Sequence, residues 1–358
     1  MRQYDTITVN HESGDSLPDV LEQEVFLERA VCISDHKWPS STRPFVSISC
    51  TVYNQEKFIE KCLQGFLNQE TTFPVEILIH DDASTDGTIE ILKQYESEYP
   101  SLIRLTCQVE NQFSKGKLVN EFNFRKARGS YIALCHGDDY WIDKNKLEKQ
   151  VAVMRDLGVS ICGHPAKKID IEGNDLNRLT GFQVKVVSKY DSKELIRRSG
   201  NMLPFGSIMI TQAAKQDMLE NMPPVMFHTG IQMLGAFRSG IAVMPDIMSV
   251  YRINVPGSTT EIMLGNYDKR LKTTIKRISS IKHLKKMYGK KFSHSFDGLL
   301  AKQAFFCLPS GSIDVVAAVF DDILKKEKCS SKIRIYLIVV ILSCKLKSFK
   351  FIKSFKNL

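Results

Sequence analysis

The sequence has no C-x-x-C cysteine spacing, no apolar run as long as a bilayer is thick, and no basic, apolar leader at its start. Each absence removes a class of protein. The nine cysteines are scattered and odd in number, and Cys50, Cys107, Cys135 and Cys162 sit inside apolar, strand-like runs. That distribution excludes a disulfide framework and a zinc site, and it fits reduced core thiols in a cytosolic protein. The longest apolar run, residues 335–343, is bounded by Arg334 and a lysine at 345; a spanning helix needs about 20 apolar residues. Residues 1–24 are polar and acid-bearing, so a secretory leader is not expected there.

What is present belongs to a soluble globular chain: 358 residues, 43% hydrophobic and 25% charged, enough for one large or two ordinary domains with a true core. The formal net charge of +9 is unevenly placed. From Lys269 onward there are 21 Lys and Arg against 5 Asp and Glu, whereas the rest of the chain holds 28 against 35. The basic character therefore lies in the C-terminal quarter, where it could face an anionic surface.

Residues 1–43 are polar and end in the Pro/Ser-rich "KWPSSTRP", which reads as an N-terminal extension or linker. Behind it, "FVSISCTVY" is a strand, and "EKFIEKCLQGFLNQ" repeats apolar residues at helical spacing. "VEILIHDD" is a second strand; the helix after it has Ser84 or Thr85 placed to cap it. "LIRLTC" is a third strand, residues 118–127 a helix, "SYIALC" a fourth strand, and "DKNKLEKQVAVMRDL" an amphipathic helix. Such alternation predicts an α/β fold: a mainly parallel, Rossmann-like sheet flanked by helices, with a helical C-terminal extension. Residues 166–260, punctuated by prolines, read as irregular and as the substrate-selecting part. No internal repeat is present.

The chemistry concentrates where strands end. Three of them finish at Tyr53, at Asp81-Asp82, and at Asp138-Asp139. In an open parallel sheet, ligands bind beyond the carboxyl ends of the strands. If these ends are neighbours, one crevice receives up to four carboxylates, and their mutual repulsion calls for a divalent cation; Mg2+ or Mn2+ favours carboxylate and phosphate oxygens. Gly137 would permit a close backbone approach, as a diphosphate requires. Taken alone, "DDASTDGT" serves equally well as a strand-to-helix turn.

"VSISCTVYNQEKFIEKCLQGFLNQ", "VEILIHDDASTDGT" and "ARGSYIALCHGDDYWIDKNKLEKQV" together resemble, in order and spacing, the N-terminal signatures of family 2 nucleotide-sugar glycosyltransferases of the GT-A fold, bacterial surface-polysaccharide type. "IMSVYRINVPGST" resembles a later segment of many bacterial members. The resemblance implies a catalytic domain over 44–262, with a nucleotide-sugar half at 44–165 and an acceptor half at 166–262, preceded by the 1–43 extension and followed by a helical basic region at 263–358. It places Thr51 and Tyr53 at the nucleobase and ribose, and Asp82, supported by Asp81, as an acceptor for the same moiety. Asp139 is the expected metal ligand, with Asp138 on the ribose or behind the metal. Arg252 would contact the diphosphate. Tyr140 and Trp141 are expected to pack the loop and not to stack on sugar.

The implied activity is metal-dependent, inverting transfer of a hexosyl residue from a nucleoside diphosphate sugar, a UDP-sugar being favoured. The acceptor would be a glycan or a polyprenyl-linked oligosaccharide in surface polysaccharide assembly. Here the sequence departs from its relatives: where they carry a Gly-Asp step, "MFHTGIQMLGAF" contains no carboxylate. His228 and Asp246 are the remaining candidates for the base. The alternatives are a catalytically impaired nucleotide-sugar-binding protein and a sugar-1-phosphate nucleotidyltransferase. Against the latter, "TVYNQEKF" holds no glycine. A receiver-like module would carry its acid pair on the first strand, and no nucleic-acid-binding motif is present.

Residues 328–358 hold eight basic and no acidic residues. They suggest peripheral attachment to the inner face of the cell membrane, although apolar residues recurring every third position make a poor apolar stripe on a helix.

Overall fold

The computed structural model describes residues 6–9, 24–39, 41–223, 227–255 and 267–305. The apolar run and basic tail singled out above, together with Met226 and the "PGST" end of the later motif, lie outside them. In chain order the elements open with strands Thr6–Val9 (β1), Glu24–Leu27 (β2) and Val31–Cys32 (β3). The predicted alternation follows: Val46–Val52 (β4), Ile59–Leu67 (α1), Glu70–Thr71 (β5), Val75–Asp81 (β6), Thr88–Glu98 (α2), Ile103–Cys107 (β7), Asn120–Lys126 (α3), Tyr131–His136 (β8), Tyr140–Trp141 (β9) and Lys146–Leu157 (α4).

The segment read as irregular is well structured. It contains Ile161–Gly163 (β10), Ala166–Ile169 (β11), Asp175–Thr180 (β12), Ser188–Tyr190 (β13), Ser192–Arg197 (α5), Met209–Thr211 (β14), Gln212–Asn221 (α6), Phe227–Ser239 (α7), Ile241–Val243 (β15) and Ser249–Arg252 (β16). These strands have three to six residues each, most of them too short for a period-2 pattern to stand out. A long helix, Tyr267–Phe305 (α8), follows.

Eight strands form the main sheet in the order β13-β15-β10-β14-β8-β4-β6-β7. β8, β4, β6 and β7 run parallel, as do β10 and β15, whereas β14 lies antiparallel between β8 and β10. All seven positions of β4 and of β6 are buried, the signature of a strand covered on both faces. The core gathers Ile48, Cys50, Ile77, Ile79 and Ala133 from the sheet with Leu63, Phe66, Leu92 and Leu147 from the helices.

Two details depart from expectation. α2 starts behind Gly87, and its first-turn donor is met by Asp86, whose Oδ1 accepts the Thr88 N–H (3.1 Å); the Ser84 hydroxyl donates instead to Asp81. The close approach at Gly137 is made to protein, since a Cβ there would stand 2.3 Å from Gln55 Oε1 and 2.9 Å from Ile59 Cδ1.

The topology fixes the place of the site. From β4 the chain moves outward to β6 and β7, then returns to β8 on the other flank of β4. The connections therefore diverge between β4 and β8, where a crevice opens at the carboxyl ends, and Asp138-Asp139 follows β8 directly. A second sheet, β12-β11-β16-β9, holds the residues after the acid pair. β9 pairs with β16 in the register Trp141↔Ser249 and Tyr140↔Val250.

The chain divides into two compact units. The first comprises residues 1–192, 201–222 and 231–255 and carries the eight-stranded and four-stranded sheets with the two strand pairs β1-β2 and β3-β5; the second comprises 193–200, 223–230 and 256–358 and contains α8. Within α8, Ile281, Leu284, Phe296 and Leu300 are buried, and Lys285 pairs with Asp297 out of solvent. No helix among the described residues is long and apolar enough to cross a membrane.

Candidate active site

β4 delivers Thr51, buried, and Tyr53, 44% exposed, to the carboxyl edge of the sheet. The chain then turns through Asn54 with φ of 51°, a left-handed conformation that asparagine tolerates. The loops after β4 and β6 are sewn together here. Asn54 Oδ1 accepts the Thr85 N–H (2.7 Å), the Asn54 N–H donates to Ser84 Oγ (2.9 Å), and the Gln55 N–H donates to Thr88 Oγ1 (2.8 Å). The "STDGT" turn is thus a partner of the first loop as well as a helix start.

The acids of β6 are turned to structural work. Asp81 accepts the Ser84 N–H at 2.9 Å and the Ser84 hydroxyl at 2.5 Å. Asp82 Oδ1 accepts the Gln112 N–H (2.8 Å) and its Oδ2 the Phe113 N–H (2.9 Å). One carboxylate thereby anchors the middle of the connection between β7 and α3, on which Phe113 is exposed. An ionised carboxylate offers about four acceptor sites, so this anchoring leaves room for a further donor. Behind Asp82, the buried His80 places Nε2 3.6 Å from Oδ1 and stacks on Phe122.

Asp82→Ala should strand two backbone N–H groups. The Gln112 donor is buried, and leaving a buried donor unmet costs about 1–3 kcal/mol. We expect amides 108–117 to lose hydrogen-exchange protection while those of β4 and β8 keep theirs; uniform protection would show that the loop is held by other contacts.

Asp138 and Asp139 lie half-buried and buried, respectively, beyond β8. Burial pushes the Asp138 carboxyl up to about 6. Asp139 is held well above the usual carboxylate range by burial first and by the Asp138 charge second. Arg252 is built around this pair. Its N–H donates to Asp139 Oδ1 (2.9 Å), its Nε to the Asp138 carbonyl (3.2 Å), and its Nη1 to the carbonyls of Asp170 and Ile171 (3.1 Å each). The guanidinium also lies over the Phe58 ring at 4.4 Å. At 7% exposure, Arg252 clasps the loop that carries the acids.

The far wall of the acid pair was not legible beforehand. The turn Phe205–Ser207 brings Gly206 so close that a Cβ there would be 3.6 Å from Asp139 Oδ2, and Phe205 stacks on His136 at 3.9 Å. Trp141 Nε1 donates to the Gly206 carbonyl (2.8 Å) and Gln150 Nε2 to that of Ser207 (2.8 Å). Trp141 thus packs the loop, edge-on to Phe66. Beneath it the fully buried Lys146 donates to Gln150 Oε1 (2.6 Å) and sits 3.9 Å over the Trp141 ring. The only local hint was "PFGS", a turn-forming tetrapeptide in a stretch read as irregular.

Among the described residues, no group of three or more His, Cys, Asp or Glu side chains is arranged to hold a metal ion. The strand ends are neighbours, yet their four acids do not form one cage, because Asp81 and Asp82 spend their oxygens on Ser84 and on the 112–113 amides. What remains is an adjacent pair, Asp138 half-buried and Asp139 buried. Mg2+ is commonly held by one or two carboxylates with substrate phosphates completing its shell, and this donor set fits an ion that arrives with a diphosphate. Of the base candidates, Asp246 follows β15 and takes an ion pair from Lys149 (3.1 Å), which also bonds Asp143 (2.7 Å). His228 stands half-buried in the first turn of α7, in the second unit.

Residues 47–215 match the model of glycosyl transferase family 2. The chain is 34% identical over 218 residues to uncharacterized proteins of Mycobacterium bovis and Mycobacterium tuberculosis, covering 59% of this chain and 60% of each of theirs. It is 36% identical over 124 residues to the putative teichuronic acid biosynthesis glycosyltransferase TuaG of Bacillus subtilis, covering 34% of this chain and 47% of that one. The chain thus spans about 60% of the length of the mycobacterial relatives. Among solved structures, TarS residues 1–349 of S. aureus in complex with UDP-GlcNAc superposes with a TM-score of 0.52 at 15% identity, over 85% of this chain and 93% of that one; at such identity the likeness concerns the fold. Strand order, switch-point acids and family match agree: residues 47–215 resemble a glycosyl transferase family 2 domain, and the fold is like that of the TarS structure.

Proposed function

We propose that the protein transfers a hexosyl residue from a nucleoside diphosphate sugar, a UDP-sugar before others, to a glycan or polyprenyl-linked acceptor in cell-surface polysaccharide assembly. The catalytic domain is assigned to 44–262, with its nucleotide-sugar half at 44–165 and acceptor half at 166–262; 1–43 is an extension and 263–358 a basic helical region. The observation that carries this reading is the adjacent Asp138-Asp139 pair, half-buried and buried, at the point where the sheet connections diverge. Two acids driven toward their protonated forms by burial are a poor element of stability and a good receptor for a cation.

In this reading Tyr53 offers its ring and Thr51 its strand end to the nucleobase and ribose. Asp82, with Asp81 behind it, keeps the 112–113 loop over that face. Asp139 holds a Mg2+ or Mn2+ ion and Asp138 lies on the ribose or behind the ion; the ion, when bound, supplies charge neutralisation for the departing diphosphate. Arg252 holds the acids in place through backbone carbonyls, and any contact with the diphosphate must come from what its carbonyl partners leave over. The attacking hydroxyl loses its proton to His228, with Asp246, already paired with Lys149, as the weaker candidate. An inverting outcome follows the family expectation, and attachment at the inner face of the cell membrane follows from the basic C-terminal quarter.

The absence of a carboxylate from 226–237 favours a second reading: a nucleotide-sugar-binding protein that does not turn over. Calorimetric titration with UDP, GDP and their sugars, with and without Mn2+, tests both. We expect one nucleotide to bind tightly only with the metal, and its sugar to be released slowly to water. Binding without release selects the second reading, and no metal-dependent binding of any nucleotide removes both.

A further inference from the structure

The second unit contains a surface that the donor chemistry does not use. Residues 269–296 hold ten Lys and Arg and no Asp or Glu, and α8 sorts them by face. At 100° per residue, Lys272, Ile275, Lys276, His283, Lys286 and Met287 fall within an arc of about 120°, and all are exposed. Phe296, Leu284 and Ile281 occupy the opposite side, buried. Of the helix's two acids, the one at 297 is buried and paired with Lys285, so it does not offset the lysines, and the one at 268 precedes the stripe. From Lys272 to Lys286 and on to the exposed His294, the stripe runs about 33 Å at 1.5 Å per residue.

We propose that this face of α8 is a docking surface for an anionic phospholipid bilayer. Three observations select that partner. The exposed cations of the arc are lysines, compact point charges on flexible stems suited to mobile headgroup phosphates and not to the fixed bidentate geometry that arginine reads. Ile275 and Met287 remain 38% and 41% exposed inside the basic arc, where lysine stems can lie along the interface while apolar side chains enter it. A nucleic-acid backbone would give those two side chains nothing to bury against. The stripe is also free of acidic interruption from 269 to 296, which suits an extended anionic surface. The inference rests on the membrane-surface part of the reading above and is independent of the donor site. It differs from an anchor in residues 328–358 by assigning the contact to α8.

The test is co-sedimentation of the full chain with vesicles containing phosphatidylglycerol and with vesicles of phosphatidylcholine alone. The same preparations are titrated with nucleotide and Mn2+. The triple variant Lys272→Gln, Lys276→Gln, Lys286→Gln should partition into anionic vesicles roughly a hundredfold less than wild type, from about fivefold per basic residue near the surface. Its thermal transition and nucleotide titration should be unchanged, since all three side chains are exposed. Deleting residues 329–358 should leave most of the anionic binding in place. Equal partitioning of the triple variant, equal binding to neutral vesicles, or loss of all binding on the deletion alone would overturn the proposal. So would tighter binding to a DNA duplex than to vesicles at the same salt. Failure of nucleotide binding with vesicle binding intact would count against the donor reading alone.

Discussion

Asp139→Asn should abolish metal-dependent nucleotide binding and lower sugar transfer by at least about a hundredfold, the scale of losing one transition-state electrostatic partner. The amide is chosen because it keeps the side-chain oxygen that accepts the Arg252 N–H. The loop is therefore expected to stay folded while its charge is lost. Asp138→Asn should be milder if Asp138 stands behind the ion, of the order of 10–100-fold in metal affinity. Unaltered metal-dependent binding in Asp139→Asn would remove the assignment.

The same pair predicts a pH dependence. Metal binding requires deprotonated carboxylates, and burial raises Asp138 to about 6 with Asp139 also well above the ordinary carboxylate range. Affinity for Mn2+ with nucleotide should therefore fall as pH drops through 6, well above the range where an exposed aspartate titrates. Proton release on titration, seen as an enthalpy that varies with buffer, is the confirming signature. An affinity flat from pH 7 to 5 would contradict it.

Lys146→Met should raise stability and lower activity together. Burial lowers Lys146 to about 7, whereas the unfolded chain keeps it near 10.4. Between those values the unfolded state holds more protons, so the lysine's penalty is full below pH 7 and fades as pH rises toward 10. At 1.36 kcal/mol per pKa unit the gross penalty is about 4–5 kcal/mol. Methionine gives back part of the gain. It forfeits the contact with Trp141, about 2 kcal/mol when desolvated, and leaves Gln150 Oε1 unmet, at about 1–3 kcal/mol.

A net gain of at most about 2 kcal/mol near pH 7 is expected, shrinking toward pH 10. The cost falls on the site, because Gln150 and Trp141 tether the Phe205–Ser207 turn beside Asp139. Chemical denaturation of both proteins at pH 7 and pH 9.5, paired with metal titration, checks this. A variant less stable than wild type at both pH values would show that Lys146 is a net support of the fold.

Burial periodicity made the first half of the domain readable. β4, β6 and β8 are six or seven residues long and rich in β-branched, aromatic and other apolar residues and α1 repeats its apolar residues at helical spacing, so each announces itself within its own length. β10, β11, β14, β15 and β16 have three or four residues apiece. Their identity comes from pairing: β14 is a strand because Met209 lies against Ala133 on one side and Cys162 on the other.

The candidate site divides along the same line. The sequence by itself determined that acids stand at the ends of two strands and that those strands alternate with helices, because hydrophobic pattern and chain order are local properties. Tertiary structure alone decided what each acid does. Asp82 meets its amide partner 30 residues away and Asp139 meets the Arg252 N–H 113 residues away, and a carboxylate's work is set by whichever donor the fold brings within 3 Å, which no local pattern encodes.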